Sequence, residues 1–402
     1  MKVLAWSASS LLVLLIALAA GIWILGGDNF GANPSGDALV RVQASPQWQH
    51  DGRFRNAQPM WTNSLGAIVR RFQRTVGDEP QDAVNVVHTD ATLLSSVPES
   101  GLRVTWLGHS STLIQLDSMT ALLDPIWSQR PSFVTFVGLL RFYPPLIELS
   151  QLPTVDAIII SHDHYDHLDR ATVLAFRNAP TVFVVPLGVG SHLRHWGIPA
   201  ARVIELDWWQ SYTLRGVSII ATPSRHASGR ILPQSDKTLW AGFALIGPRH
   251  RVFYSGDTGL HDALRTVGER YGPFDVSLIE SGQYDADWPD WHLGPEQAVE
   301  ANRMVKGKVM IPVHWALFRL AHHSWTEPAE RVLAAAACDS MPVLIPRPGE
   351  SVEPTRAPVI AHWWPKIPWQ TAAQAPVIAT RMGDPALRVP QPCSNHPTNA
   401  AR

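Results

Sequence analysis

Ile158-Ile159-Ile160-Ser161-His162-Asp163-His164-Tyr165-Asp166-His167-Leu168-Asp169 runs an apolar segment straight into a cluster of histidines and aspartates. Three consecutive isoleucines favour a buried strand. In extended backbone, residues i and i+2 point the same way, so His162 and His164 can converge on one metal ion. The turn that follows brings Asp166 and His167 to a second position nearby. Imidazole and carboxylate donors without thiolates suit Zn²⁺, and Mn²⁺ or Fe accept the same set.

Two ions need more ligands than these four residues supply, and later loops hold the candidates, each after a plausible strand. His226 stands in Thr222-Pro223-Ser224-Arg225-His226 and Asp257 in Tyr254-Ser255-Gly256-Asp257-Thr258-Gly259. His314 stands in Ile311-Pro312-Val313-His314-Trp315. Taken singly each is an ordinary residue. Taken together, at strand ends in one domain, they point to a metal centre.

Working outward, residues 103–345 read as one domain of short strands alternating with helices. Strands are expected from Arg103–Leu107 through Ala157–Ile160, Val217–Ala221, Val252–Tyr254 and Val309–Ile311 to Val343–Ile345. Helices are expected over Ala171–Arg177, Leu260–Tyr271, Pro295–Met304 and Pro328–Ala337, two of them with Pro in the first turn. Upstream, Met60–Val76 places Trp61, Leu65, Ile68, Val69 and Phe72 at helical spacing, with Arg70, Arg71 and Arg74 on the other side. Such a helix packs on the domain or lies on anionic headgroups.

Val3 to Gly27 carries no charged residue. That length can cross a bilayer core of about 30 Å as a helix. A signal peptide cleaved near Ala17-Leu18-Ala19 is the alternative, but the apolar run continues past it to Leu25. Lys2 before the segment and Asp28 after it put the rest of the chain on the non-cytoplasmic side. The expected organisation is therefore a membrane anchor or signal segment over 1–27, a linker over 28–55, a domain carrying the metal-ligand candidates over 56–349 and a Pro-rich tail over 350–402. Trp363, Trp364 and Trp369 stand in that tail without any sustained apolar period, so it reads as extended or disordered.

Composition narrows the function classes. Of 402 residues 46% are hydrophobic, which excludes global disorder. Lys plus Arg is 33 against 34 for Asp plus Glu, so no basic excess supports a nucleic-acid surface. Two cysteines, Cys338 and Cys393, exclude both a disulfide framework and a cysteine-ligated zinc ribbon.

The series resembles the metallo-β-lactamase-fold hydrolases, and more closely the branch containing N-acyl-phosphatidylethanolamine-hydrolysing phospholipase D. The match runs from about Phe54 to Gly349. It includes Trp106-Leu107-Gly108-His109-Ser110, Leu123-Asp124-Pro125, the His162 cluster, Gly256-Asp257-Thr258-Gly259, His292-Leu293-Gly294-Pro295-Glu296-Gln297-Ala298 and His314-Trp315. The resemblance implies an α/β fold, an αβ/βα four-layer sandwich. It implies that His162, His164 and His226 hold a first metal, that Asp166, His167 and His314 hold a second, and that Asp257 bridges them. It further implies that Tyr165 and His292 meet the substrate head group. The segment Glu280-Ser281-Gly282-Gln283-Tyr284 departs from it, with a charge where the related phospholipases are apolar.

The expected function is a zinc-dependent phosphodiesterase acting on N-acyl-phosphatidylethanolamine-like lipids through a hydroxide held between two Zn²⁺ ions. Asp166 and Asp257 are the catalytic carboxylates, and Asp124 is a candidate partner fixing a ligand imidazole. The expected partners are a phospholipid or other small phosphodiester and a membrane, with no nucleic acid. Fold and metals also accommodate a lactonase or another phosphodiesterase. A ribonuclease of this fold would need an extra domain between Asp257 and His314. A non-catalytic, membrane-anchored binding protein would be expected to have lost ligands, and all seven positions are filled.

Overall fold

The computed structural model describes residues 23–66, 74–231, 234–356 and 362–390, with scattered positions before residue 23. Two mixed sheets face each other. The first contains β1 (Leu102–Gly108), β2 (Ser111–Leu116), β3 (Met119–Leu123), β4 (Ala157–Ile159), β5 (Val182–Pro186), β6 (Val203–Leu206) and β13 (Ser351–Val352). Its order is β13-β1-β2-β3-β4-β5-β6, antiparallel as far as β3 and parallel from β3 to β6. The second contains β7 (Ser211–Leu214), β8 (Val217–Thr222), β9 (Gly242–Ile246), β10 (Arg251–Tyr254), β11 (Val276–Glu280) and β12 (Met310–Val313). Its order is β12-β11-β10-β9-β8-β7, with β10, β11 and β12 parallel. A small hairpin, β14 (Thr380–Arg381) and β15 (Asp384–Arg388), forms a separate two-stranded sheet whose Thr380 N donates to Asp290 Oδ1 at 2.7 Å.

Alternation along the strands builds the layers. Ile159 and Val184 of the first sheet share the central core with Val217, Phe243, Leu278 and Val313 of the second. Their neighbours face outward: Ile158, Phe183 and Val185 pack with Val173 of α3 (Arg170–Ala175) and Leu193 of α4 (Gly190–His195). On the far side, Phe253 and Ile279 pack with α5 (Ala263–Tyr271), α6 (Pro295–Val305) and α7 (Glu327–Ala337). Strands covered on both faces read as continuous apolar runs, as Ile158-Ile159-Ile160 does. The helices begin where side chains or proline satisfy the first turn. Asp169 accepts from Ala171 N at 3.2 Å, and α6 opens on Pro295 with Gln297 reaching back to Gly294 N at 3.1 Å.

Three expectations need revision. The segment 28–55, expected as a linker, carries α1 (Asp37–Gln43), and its Val42 and Phe54 belong to the central core. A further short helix, α2 (Ala91–Ser95), precedes the first sheet. The segment after Gly349, expected as a separate tail, supplies β13, and Trp363 and Trp364 enter the central core. The Trp363 indole donates to Ile345 O at 3.0 Å and the Trp364 indole to Glu330 Oε1 at 2.9 Å. Buried irregular chain carries no apolar period, so these contacts leave no pattern in the sequence. Arg74, for which a headgroup contact was one of two readings, pairs with Asp78 at 3.1 Å and Glu79 at 2.9 Å, while Arg70 and Arg71 lie outside the described residues. The segment 1–27 lies largely outside them as well. Among the described residues no helix is long and apolar enough to cross a membrane.

Candidate metal centre

Each candidate ligand follows a strand: the His162 cluster β4, His226 β8, Asp257 β10 and His314 β12. The sandwich brings those strand ends to one edge. An isolated bridge between His109 and Trp315 ties the end of β1 to the loop after β12. Backbone is strained there, because His109, Asp124 and His314 all have positive φ, at 51°, 35° and 68°. Gly256, at φ 57°, takes the same region without strain, and a Cβ there would stand 2.7 Å from Ala241 O.

The donors converge in two groups. His162 Nε2 and His164 Nδ1 are 2.9 Å apart, and His226 Nε2 lies 3.4 Å from the same His164 atom. Asp166, His167 and His314 form the second group, joined by His109. Asp257 stands between the groups. Its carboxylate is 3.1 Å from His167 Nε2, 3.2 Å from His314 Nδ1, and 3.8 Å from both His162 Nε2 and His226 Nε2. All seven residues expected as ligands are thus together.

Outer partners orient these rings. Asp124 accepts from His167 Nδ1 at 2.6 Å and from Ser161 N at 2.7 Å, and the Tyr254 hydroxyl also donates to it. His226 Nδ1 donates to Trp291 O at 3.0 Å. In both cases Nε2 is turned toward the centre, the arrangement that fixes a ligand tautomer. Asp163, between the two histidines, accepts from Gly229 N at 2.6 Å and Thr238 Oγ1 at 2.8 Å, anchoring the ligand loop from behind.

The donor chemistry fits a divalent cation. His167 Nε2 and Asp257 Oδ1 are buried and make no hydrogen bond. Burial holds His162, His226 and His314 well below the usual imidazole range, so they are neutral lone-pair donors. Burial works against charge on Asp257 as well, but His167 and His314 hold its carboxyl well below the ordinary value. Burial would likewise lower His167, yet Asp257, Asp166 and Asp124 push it well above. Three carboxylates around one buried imidazole demand positive charge, which a proton alone supplies incompletely.

The centre floors a cavity of about 250 Å³. His164, Asp166, Asp257, His292 and His314 line it below, and Trp288, Trp291 and Leu320 wall it. The Trp291 indole is fixed on Thr62 Oγ1 at 2.8 Å, and the Trp288 indole on Gln283 O at 2.9 Å. His292 reaches the cavity as expected. Tyr165 is not among the residues lining it, and the Arg230 guanidinium covers its ring at 4.0 Å. Arg230 also donates to Asp163 O and Leu168 O, both at 2.9 Å, so Arg230, packed on the Tyr165 ring, braces the ligand loop.

Two groups that the sequence shows only within quoted segments, without a role, belong to the site. His109 lies 2.9 Å from Asp166 Oδ2 through Nε2, and its signal was only its place in Gly108-His109-Ser110 after a strand. Glu280 ends β11 fully buried and accepts from His292 Nδ1 at 2.8 Å. Burial pushes its carboxyl up to about 8, and the pair shares charge that burial alone would suppress. Its signal was a carboxylate closing the apolar run Val276–Ile279.

Comparison with known proteins agrees with this geometry. Residues 120–315 match the model of the beta-lactamase superfamily domain. An uncharacterized protein of Mycobacterium tuberculosis is 42% identical over 370 residues, covering 87% of this chain and 96% of its own length. The N-acyl-phosphatidylethanolamine-hydrolyzing phospholipase D 1 of Caenorhabditis elegans is 37% identical over 232 residues, covering 55% of this chain and 65% of its own. The chain therefore spans just under two thirds of that phospholipase. An isothiocyanate hydrolase from Delia radicum gut bacteria shares the fold, with a TM-score of 0.50 at 17% identity, over 62% of this chain and 98% of its own.

Proposed function

This chain belongs to the metallo-β-lactamase superfamily of metal-dependent hydrolases, and from that premise we propose a phosphodiesterase of phospholipase D type. It hydrolyses N-acyl-phosphatidylethanolamine-like lipids to an N-acylethanolamine and phosphatidic acid. The observation that carries this reading is the position of Asp257 between two histidine-rich groups, under a cleft walled by indoles. The phospholipase relative supports the lipid diester as substrate.

His162, His164 and His226 would hold one ion, and Asp166, His167 and His314 the other, with Asp257 serving both. When bound there, two divalent ions, zinc by the donor chemistry, supply Lewis acidity toward a phosphoryl oxygen and lower the pKa of water. Asp166, steadied by His109, orients the attacking water. Its oxygen forms a bond to phosphorus, and the bond from phosphorus to the ethanolamine oxygen breaks. With Nδ1 engaged by Glu280, His292 has Nε2 left for the departing oxygen, which takes up a proton. The indole walls and Leu320 exclude water from the diester.

The cavity of about 250 Å³ is smaller than a typical ligand pocket of about 300–1,000 Å³. It accepts the head group and diester while the acyl chains stay in the bilayer. The enzyme accordingly works at a membrane surface, held there by the apolar segment 1–27 with the hydrolase domain on the non-cytoplasmic side.

An activity panel on metal-loaded protein tests the reading. N-acyl-phosphatidylethanolamine is expected to turn over well above other phospholipids, a generic phosphodiester and a lactone, and chelation is expected to abolish turnover. Activity on the lactone with none on any phosphodiester would make the protein a lactonase. A second expectation concerns His292. Glu280→Ala should lower kcat about 10- to 100-fold with metal content unchanged, as loss of an orienting partner does. Glu280→Gln, which still accepts from Leu293 N, should recover part of that loss. Loss of metal in Glu280→Ala, seen by elemental analysis, would make Glu280 a ligand instead.

A further inference from the structure

Between β3 and β4 the chain makes an uncharged loop, Pro131-Ser132-Phe133-Val134-Thr135-Phe136-Val137-Gly138-Leu139-Leu140. Its tip is apolar and in solvent: Phe136 is 62% exposed, Val137 50% and Leu140 55%. Soluble surfaces rarely group such side chains without a partner. The loop is not loosely held. Arg141 N donates to Gln129 O at 3.0 Å and closes its neck. The Arg130 guanidinium donates to Gly138 O, and the buried Arg141 guanidinium donates to Tyr143 O at 2.7 Å and Trp127 O at 3.1 Å. A fixed neck under an apolar tip is a built feature.

The same loop receives the N-terminal segment. Phe30 stacks on Phe133 with centroids 5.4 Å apart, Trp23 stacks on Phe30 at 5.7 Å, and Asn29 Nδ2 donates to Phe133 O at 2.8 Å. Residues 28–32 are pinned to the domain. Trp196 Nε1 donates to Asp28 O at 2.6 Å, Arg230 Nε to Asn29 O at 2.7 Å, and Ala32 N to His192 Nδ1 at 3.0 Å. Residues 23–32 therefore lie against the domain where loop 131–140 begins, at Phe133, and Trp23, Ile24 and Leu25 are exposed there. Phe133 also lies 6.5 Å from the ring of Tyr165, between the ligands His164 and Asp166.

We infer that the tip of loop 131–140 and the exposed apolar residues around Trp23 form one docking surface that inserts into a lipid bilayer beside the metal loop. The bilayer is the occupant because the surface is continuous with 25 uncharged residues, Val3 to Gly27, long enough to enter a hydrocarbon core. Rings and branched apolar side chains on a rigid loop suit the headgroup–acyl boundary. The inference rests on the interfacial reading above and takes nothing from the identity of the lipid that is turned over.

The test uses the full chain with Cys338→Ser and Cys393→Ser, a nitroxide at Phe136→Cys, and vesicles of phosphatidylcholine with phosphatidylglycerol. A nitroxide at Leu333→Cys, on the helix layer over the other sheet, is the control. On vesicles the label at position 136 should become several-fold more accessible to oxygen than to an aqueous nickel chelate, while the label at 333 stays aqueous. A label at 136 that remains as aqueous as in buffer would overturn the proposal. So would shielding already in buffer with a doubled mass, which would assign the surface to a second copy of the chain. This readout needs no turnover, so it stands apart from the substrate reading. The triple variant Phe136→Ser, Val137→Ser, Leu140→Ser should keep hydrolysis of a soluble phosphodiester and lose about tenfold on vesicles. Equal loss on both substrates would mean a merely structural loop and contradict the inference.

Discussion

Asp257→Ala is expected to lower hydrolysis by about 10³-fold or more and to reduce metal content, the largest effect of any single substitution at the centre. An outer partner of a ligand costs about 10- to 100-fold when lost. Asp257 is not such a partner: its carboxylate approaches His167, His314, His162 and His226 within 3.8 Å. Removing it also leaves the buried His167 with two carboxylates in place of three. Asp124→Asn is the comparison. It weakens the bond that orients His167 Nδ1 but takes away no donor to the centre, so it should fall in the smaller range with both ions retained. Elemental analysis and steady-state kinetics on the two variants check the order. Equal damage from both, or full metal in Asp257→Ala, would remove Asp257 from its bridging place.

Truncation after Gly349 is expected to abolish the cooperative melt. It deletes β13, which pairs with β1, and it deletes Trp363 and Trp364 from the central core. A buried Trp replaced by Ala costs about 3–5 kcal/mol, and a domain holds only about 5–15 kcal/mol in total. The loss reaches the site as well. The Trp363 ring lies 5.7 Å from that of Trp315, which stacks on Trp106 at 5.3 Å and follows His314 directly. Trp363→Ala should therefore lower stability by about 3–5 kcal/mol and leave a folded protein in which the same column can be examined. Calorimetry on both proteins checks this, and an unchanged melt of the truncated chain would show that the residues after Gly349 are dispensable.

Some of the fold was legible because both faces of its strands are covered. Runs such as Ile158-Ile159-Ile160 and Val252-Phe253-Tyr254 announce themselves, and the four expected helices all form with ends shifted by a few residues. Val343–Ile345 was expected as a strand by the same logic, yet only Val343 makes an isolated bridge, to Met310. The reverse failure is β7, Ser211–Leu214, an edge strand whose half-exposed, polar side chains give no apolar run. Helix α4 is a single short turn dense in histidine and arginine.

The metal centre was more legible than its surroundings. Ligands are held at strand ends by local spacing, which a sequence displays. Glu280 and His292 form a pair only because α6 starts beside the end of β11, and twelve positions separate them along the chain. Trp288 and Trp291 become cavity walls by contacts to Gln283 and Thr62. Trp363 and Trp364 are fixed by single indole hydrogen bonds in irregular chain. Such roles depend on tertiary neighbours, and no period or motif encodes them.

The most direct test is the fate of the water oxygen. Metal-loaded protein is given N-acyl-phosphatidylethanolamine vesicles in ¹⁸O-water, and the products are weighed by mass spectrometry. Attack at phosphorus predicts one ¹⁸O in phosphatidic acid and none in the N-acylethanolamine. Label in a freed fatty acid, or label in the ethanolamine hydroxyl, would place the attack on carbon and contradict a phospholipase D chemistry at this centre.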